Sequence, residues 1–103
     1  MPSTTMSDRS VPQVQYATPT VGQTVTVNSN GNVFLLINPA GTLASLTITL
    51  PGSPSDGDSV LIKSTQIVTT LTMNGGTIIN ALVALAVGTT QQYVYSATAA
   101  KWL

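Results

Sequence analysis

The sequence predicts an all-β protein, a small antiparallel β-sandwich, roll or barrel with an extended N-terminal arm. Short segments in which apolar and polar residues alternate with a period of two recur along the chain, separated by clusters of turn-forming residues. The spacing of these segments is roughly 10 residues, which is typical of antiparallel β-proteins. Threonine is frequent and suits strands, and no segment joins a helix cap to a helical period. The pattern therefore favours strands throughout.

The first 20 residues differ from the rest, so we predict an arm at 1–20 and a β-domain at 21–103. The arm is polar and aperiodic, and Pro12 and Pro19 remove backbone donors and favour extended chain. Four of its residues are candidates for contact with a capsid or a neighbouring subunit: Val11, Pro12, Val14 and Tyr16. The alternative is a frayed terminus without a role.

The predicted domain contains seven strands, at 24–27, 33–37, 45–50, 59–64, 68–73, 92–96 and 101–103. The clearest is 45–50, because its leucine and isoleucine side chains all fall on one face. The continuous apolar run at 33–37 is typical of a strand that is buried on both faces. Asn74-Gly75-Gly76 supplies the positive-φ positions of a turn, whereas the segment 77–87 fits neither period.

Charge is unusually scarce in this chain. Only 6% of the residues are charged, against about 25% in typical domains, and the net charge is zero. A soluble monomer normally carries a mixed charged surface. Either hydroxyl and amide side chains wet the surface, or other subunits cover it; we expect the second. Outward apolar residues such as Leu61, between Val60 and Ile62, would then lie at subunit contacts.

The residue types needed for catalysis are mostly missing, so we predict that the chain is not an enzyme. It has no histidine, cysteine or glutamate, which removes the usual general bases, thiolates and disulfides. Asp56-Gly57-Asp58 is either a weak Ca²⁺ or Mg²⁺ site or a polar turn before a strand. We predict the turn, and hence no metal and no cofactor.

Two further classes of partner are not predicted. The chain has no basic stripe of the kind that binds nucleic acid. The longest apolar run, 81–87, is too short to span a bilayer, and the N-terminus lacks the apolar core of a signal peptide. We therefore expect neither a nucleic-acid nor a membrane partner, and synthesis as a soluble protein.

Three aromatic residues, Tyr93, Tyr95 and Trp102, lie near the C-terminus. Tyr93 and Tyr95 share one face of a strand, which suits a platform for stacking on sugar rings. The same residue types also close cores and subunit interfaces, where tyrosine and tryptophan are enriched. We favour the core or interface interpretation.

From Leu46 onward the chain carries a distinctive series of strand and turn types. The series comprises Leu50-Pro51, Pro54-Ser55-Asp56-Gly57-Asp58-Ser59-Val60, Ile62-Lys63-Ser64, Val68-Thr69-Thr70-Leu71-Thr72, Asn74-Gly75-Gly76, Ile78-Ile79-Asn80, Gly88, Tyr93-Val94-Tyr95 and Trp102. It resembles β-rich modules of tailed-bacteriophage structural proteins, which occur in trimeric fibres and in capsid decoration (cement) proteins. The resemblance covers a little over half of the chain and implies a homotrimer on a virion.

Fibre modules generally belong to chains that are longer than this one and carry shafts or adaptor domains. Of the two kinds of phage protein, we therefore expect a decoration protein. Such a protein would be made in the host cytoplasm, bind the major capsid protein and stabilise the outer head surface. The alternative is a receptor-binding tip or short fibre that contacts host-surface glycan through Tyr93, Tyr95 or Trp102.

Overall fold

A computed structural model describes residues 13–27 and 31–103, and these form eight β-strands and no helix. The strands are β1 (Gln13–Ala17), β2 (Thr24–Thr26), β3 (Asn32–Ile37), β4 (Leu43–Thr49), β5 (Ser59–Ser64), β6 (Val68–Asn74), β7 (Thr90–Ser96) and β8 (Lys101–Trp102). The prediction of a β-rich fold is confirmed. Within these residues there is no long apolar helix of the kind that crosses a bilayer.

The strands lie in two sheets, and the first six alternate between them. The five-stranded sheet has the order β1-β3-β5-β7-β8, and the three-stranded sheet has the order β2-β4-β6. Strands β1, β3 and β5 pair in parallel with one another, and so do β2, β4 and β6. The chain thus crosses to the opposite sheet after each strand and returns beside the strand before last, so these six strands wind as a two-sheeted solenoid.

The predicted antiparallel pairing is wrong for these six strands, and the sheets do not close into a barrel. Between the strands of the described residues, antiparallel pairing occurs only where β7 joins β5 and where β8 joins β7, and a single antiparallel bridge links Val68 to Leu85. Parallel strands need a long crossover, so short turn clusters favour hairpins. Here the crossover is itself a strand of the other sheet: β4, for example, connects β3 to β5. The turn clusters are arches between sheets, not hairpins.

One hydrophobic core lies between the two sheets. Parallel register places paired residues on the same face, so Val33 lies beside Val60 and Leu46 beside Leu71. The buried apolar residues are Val25, Val27, Val33, Leu35, Ile37, Leu43, Leu46, Ile48, Leu50, Val60, Ile62, Val68, Leu71, Leu85, Tyr93 and Trp102. Burying a side chain of this size returns about 1.5–3 kcal/mol, so this cluster supplies most of the drive for folding.

The C-terminal part of the chain covers the last turn of the solenoid. The segment 77–87, which fits neither period, is largely irregular. Its Leu85 is buried and exchanges two backbone hydrogen bonds with Val68 of β6, each with an N···O distance of 2.9 Å. Strands β7 and β8 cover the edge of β5 in the other sheet. Covered edges do not recruit further strands, so the solenoid ends here.

The predicted arm overlaps the five-stranded sheet. Its residues Gln13–Ala17 form β1, which pairs with β3 from Gln13 beside Val33 to Ala17 beside Ile37. The Asn38 N–H continues this ladder by donating to the Ala17 carbonyl at 2.8 Å. Residues 1–12, including Val11 and Pro12, lie outside the described residues.

Candidate functional site

The outer surface of the five-stranded sheet, opposite to the core, carries a row of apolar side chains. In β1, β3 and β5 every second residue points away from the core, and the register places Val14, Phe34 and Leu61 side by side. Tyr16 and Leu36 form the next row. We call this surface the apolar face and define it as Val14, Tyr16, Phe34, Leu36, Leu61 and Val94.

This face is accessible to solvent in the single chain. Val14 is 65% exposed, Tyr16 58% and Val94 41%, while Phe34 and Leu36 are half-buried. Isolated exposed apolar residues are common on proteins, but a contiguous set in register across three strands indicates an interaction surface. A face of this kind is suited to bind another apolar surface.

A pocket of about 250 Å³ opens on the apolar face. It is lined by Asn32, Val33, Phe34, Ser59, Leu61 and Gln92. The Ser59 hydroxyl donates to Asn32 Oδ1 at 2.8 Å, which fixes the polar wall of the pocket. Three apolar and three polar side chains thus line the pocket, and pockets that receive an anchoring side chain are common at the centres of protein interfaces.

Hydrogen bonds hold the Tyr16 ring in place at the edge of the apolar face. The Asn38 side-chain amide donates to the Tyr16 hydroxyl, and Asn38 Oδ1 in turn accepts from the Thr65 hydroxyl. The ring is therefore exposed on the outer surface while its hydroxyl oxygen already accepts a hydrogen bond within the protein. A tyrosine fixed in this way loses little side-chain entropy when a partner covers it.

Two of the four predicted contact residues, Val14 and Tyr16, lie on the apolar face. Leu61, which the sequence analysis predicts at a subunit contact, lies beside them. Phe34 and Leu36 were not predicted, because an uninterrupted apolar run indicates burial on both faces. In the structure they are only half-buried, and their register with Val14 and Tyr16 becomes visible only once the parallel pairing is known.

The three C-terminal aromatic residues lie apart from this surface. Tyr93 and Trp102 are buried in the core, and the half-buried Tyr95 ring packs on Trp102 with centroids 5.3 Å apart. The Tyr93 hydroxyl donates to the Asn80 carbonyl at 2.8 Å and accepts from the Leu82 N–H at 3.1 Å. Burial raises the pKa of Tyr93, and the Leu82 hydrogen bond partly opposes this effect. Tyr93 thus ties the irregular segment to the sheet.

The Asp56-Gly57-Asp58 segment makes hydrogen bonds typical of a turn. The buried Asp58 carboxylate accepts from the Ser55 N–H at 2.8 Å, and the Asp56 carboxylate accepts from the Ala97 N–H at 2.8 Å. Both carboxylates satisfy backbone donors of loops. In residues 13–27 and 31–103 no three acidic, histidine or cysteine side chains lie close enough to share a metal ion.

Comparisons of the chain with protein-family models, with curated proteins and with solved structures gave no match.

Proposed function

We propose that the chain is a structural virion protein, a homotrimeric decoration (cement) protein that binds the major capsid protein on the outer head surface. The observation that carries this proposal is the apolar face. Three copies of the chain bury this face against one another, and the remaining surface meets the capsid and solvent. The trimer and the virion location follow from the resemblance to phage modules.

Association through this face is energetically reasonable. Covering a valine or tyrosine side chain that is more than half exposed returns about 1–2 kcal/mol, and Val14 and Tyr16 are both in this class. The pocket beside Phe34 and Leu61 provides a further site for a partner's side chain. The contact free energy contributes to affinity only where it exceeds the entropic cost of association. Several such contacts are therefore needed, and the apolar face offers six residues.

The charge distribution agrees with a self-complementary face. Lys63 is the only charged residue among the outward positions of β1, β3, β5 and β7, and its pairing with Leu36 places it directly beside the apolar face. Two copies can therefore approach with little desolvation of charge, which is the costly part of covering a polar surface.

The receptor-binding alternative has less support. It assigns glycan contact to Tyr93, Tyr95 or Trp102, but two of these side chains are buried. A sugar ring needs an open aromatic face, and neither Tyr93 nor Trp102 offers one in this fold. We therefore retain the decoration protein as the proposal.

A pair of matched variants tests the association. Leu61→Lys places a charge at the centre of the apolar face, whereas Val83→Lys places the same charge at a residue that is 76% exposed elsewhere. Sedimentation at micromolar concentration should show trimers for the parent and Val83→Lys, and monomers for Leu61→Lys with an unchanged circular dichroism spectrum. Trimers of equal stability in all three proteins would exclude this face as the interface.

The location on the virion is tested with purified particles. Decoration proteins are present in many copies per particle and fibres in few, so quantitative gel densitometry separates the two. The protein should also rebind to particles that lack it, and the bound copies should raise the temperature at which those heads release their DNA. A low copy number, or no binding to heads, would contradict the decoration role while leaving the trimer intact.

A further inference from the structure

The outer surface of the three-stranded sheet is as uniform as the apolar face but has the opposite chemistry. We call it the threonine face, and its residues are Thr24, Thr26, Ser45, Thr47, Thr49, Thr70, Thr72 and Asn74. Strands β2, β4 and β6 contain no charged residue, and their large apolar side chains point into the core. The motif threonine-any-threonine begins at Thr24, Thr47 and Thr70 in these strands, and once outside them, at Thr18.

Parallel register turns these residues into a two-dimensional array. Thr24, Thr47 and Thr72 are paired across the sheet and form one row. A second row lies two residues further along each strand and consists of Thr26, Thr49 and Asn74. Neighbours within a row are about 4.8 Å apart, and the rows are about 6.6 Å apart along the strands.

The hydroxyl groups of this array have no partner within the described part of the protein. Among residues 13–27 and 31–103, no hydrogen bond involves the hydroxyl of any of the six threonines of the threonine face. The threonines of the two outer strands are exposed, whereas Thr47 and Thr49 of the central strand are only partly exposed. The donors and acceptors therefore face solvent at regular intervals, each next to its own methyl group.

We infer that the threonine face adsorbs to ice. Hexagonal ice repeats its oxygen positions along two of its axes at distances similar to those between neighbours in a row and between rows. Hydroxyls on this grid occupy or bond lattice positions, while the methyl groups between them restrict the orientation of the adjoining water. The ligand is thus a crystalline water surface.

Other ligands fit this face less well. Stacking on sugars requires open aromatic rings, and β2, β4 and β6 contain none. Docking of a protein requires apolar area at its centre, which the threonine face does not provide. A nucleic acid requires positive charge, which these strands also lack.

The inference does not depend on the proposed trimer. The threonine face lies on the three-stranded sheet and the apolar face on the other sheet, with the core between them. A trimer joined through the apolar faces leaves three threonine faces directed outward, and a monomer leaves one. Failure of either proposal is therefore visible without reference to the other.

The test measures ice growth with the full chain. In a nanolitre osmometer and a recrystallisation assay, the parent protein should facet ice crystals and slow their coarsening. Thr47→Lys combined with Thr49→Lys breaks the centre of both rows and should abolish the two effects. The control, Thr42→Lys combined with Thr98→Lys, places the same charges at exposed threonines outside the array and should behave like the parent.

Folding of each variant is checked by circular dichroism and thermal unfolding. Should the lysine variant unfold, Thr47→Tyr replaces it, because tyrosine favours strands yet projects beyond the plane of the array. The inference is supported if a Thr47 variant that still folds loses ice shaping while the control variant keeps it. A parent protein that leaves ice crystals as rounded and as coarse as albumin does would overturn it, as would full activity in the Thr47 variants.

Discussion

Gly75, in the turn after β6, tests whether this turn packs directly against the backbone of Leu50. Its φ is +112°, and a Cβ atom there would lie 2.8 Å from the Leu50 carbonyl oxygen and 2.9 Å from the Leu50 nitrogen and Cβ. Leu50 is buried, and its N–H donates to the Asn74 carbonyl at 2.8 Å. The obstructing atoms are fixed in the core, so they cannot move aside as a flexible side chain would.

The neighbouring Gly76 is a matched control. Its φ is +94°, but no atom lies within 4 Å of its Cβ position. Alanine at either position therefore carries backbone strain of about 1–2 kcal/mol. Only Gly75→Ala adds a clash with the core, which costs about 1–3 kcal/mol more.

Urea unfolding followed by circular dichroism, at one fixed protein concentration, measures both variants. We expect Gly75→Ala to lower the free energy of unfolding by about 2–5 kcal/mol and Gly76→Ala by about 1–2 kcal/mol. Equal losses for the two variants would refute the close approach of this turn to Leu50.

Three further predictions follow from the site geometry. Tyr93→Phe should lower the free energy of unfolding by about 1–3 kcal/mol because the Asn80 carbonyl loses its hydroxyl donor and the Leu82 N–H keeps only the weak acceptor Met73 Sδ. Since burial raises the pKa of Tyr93, its stabilisation is complete below about pH 10 and is lost as the pH rises through the folded-state pKa, so Tyr93→Phe should flatten the alkaline unfolding profile. Asp58→Ala should cost about 1–3 kcal/mol and the exposed Asp56→Ala less, and added Ca²⁺ should not shift the urea midpoint of the parent; a Ca²⁺-dependent midpoint would contradict the turn interpretation. Deleting residues 1–17 removes β1 and should lower the melting temperature; an unchanged melting temperature would show that β1 contributes little to the fold.

The local structure was predictable because alternation reports which side of a strand is buried. Val60 and Ile62 lie inward and Lys63 outward, as their spacing predicts. Asn74-Gly75-Gly76 also forms a turn in which both glycines adopt positive φ. Each of these features depends on neighbours in sequence, so the sequence alone contains the necessary information.

Strand pairing was not predictable in the same way. The alternation of apolar and polar residues is the same whether the next strand pairs in the same sheet or lies in the opposite sheet. The coils also differ in length: β1 pairs with β3 from Gln13 to Val33, whereas β3 pairs with β5 from Val33 to Val60. No fixed period therefore reveals the solenoid. The motifs that begin at Thr24, Thr47 and Thr70 are the one regular signal, and they mark the threonine face.

The candidate site was predictable only in part, because local patterns identify single residues but not their neighbours across the sheet. Val14, Tyr16 and Leu61 each stand out as apolar residues in polar or outward positions. Their assembly with Phe34 and Leu36 into one surface depends on parallel register, which only the structure provides.

The central claim is that copies of the chain bury the apolar face against one another. Because the chain has no cysteine, a single cysteine can be labelled specifically at Val14, on the face, or at Val87, outside it. These residues are 65% and 64% exposed in one chain, so their labelling rates should be equal if nothing covers the face. We predict that maleimide labels Val14→Cys much more slowly than Val87→Cys in the assembled trimer, and at the same rate after dissociation. Equal rates in the assembled protein, or slow labelling of Val14→Cys in a protein that sediments as a monomer, would contradict the claim.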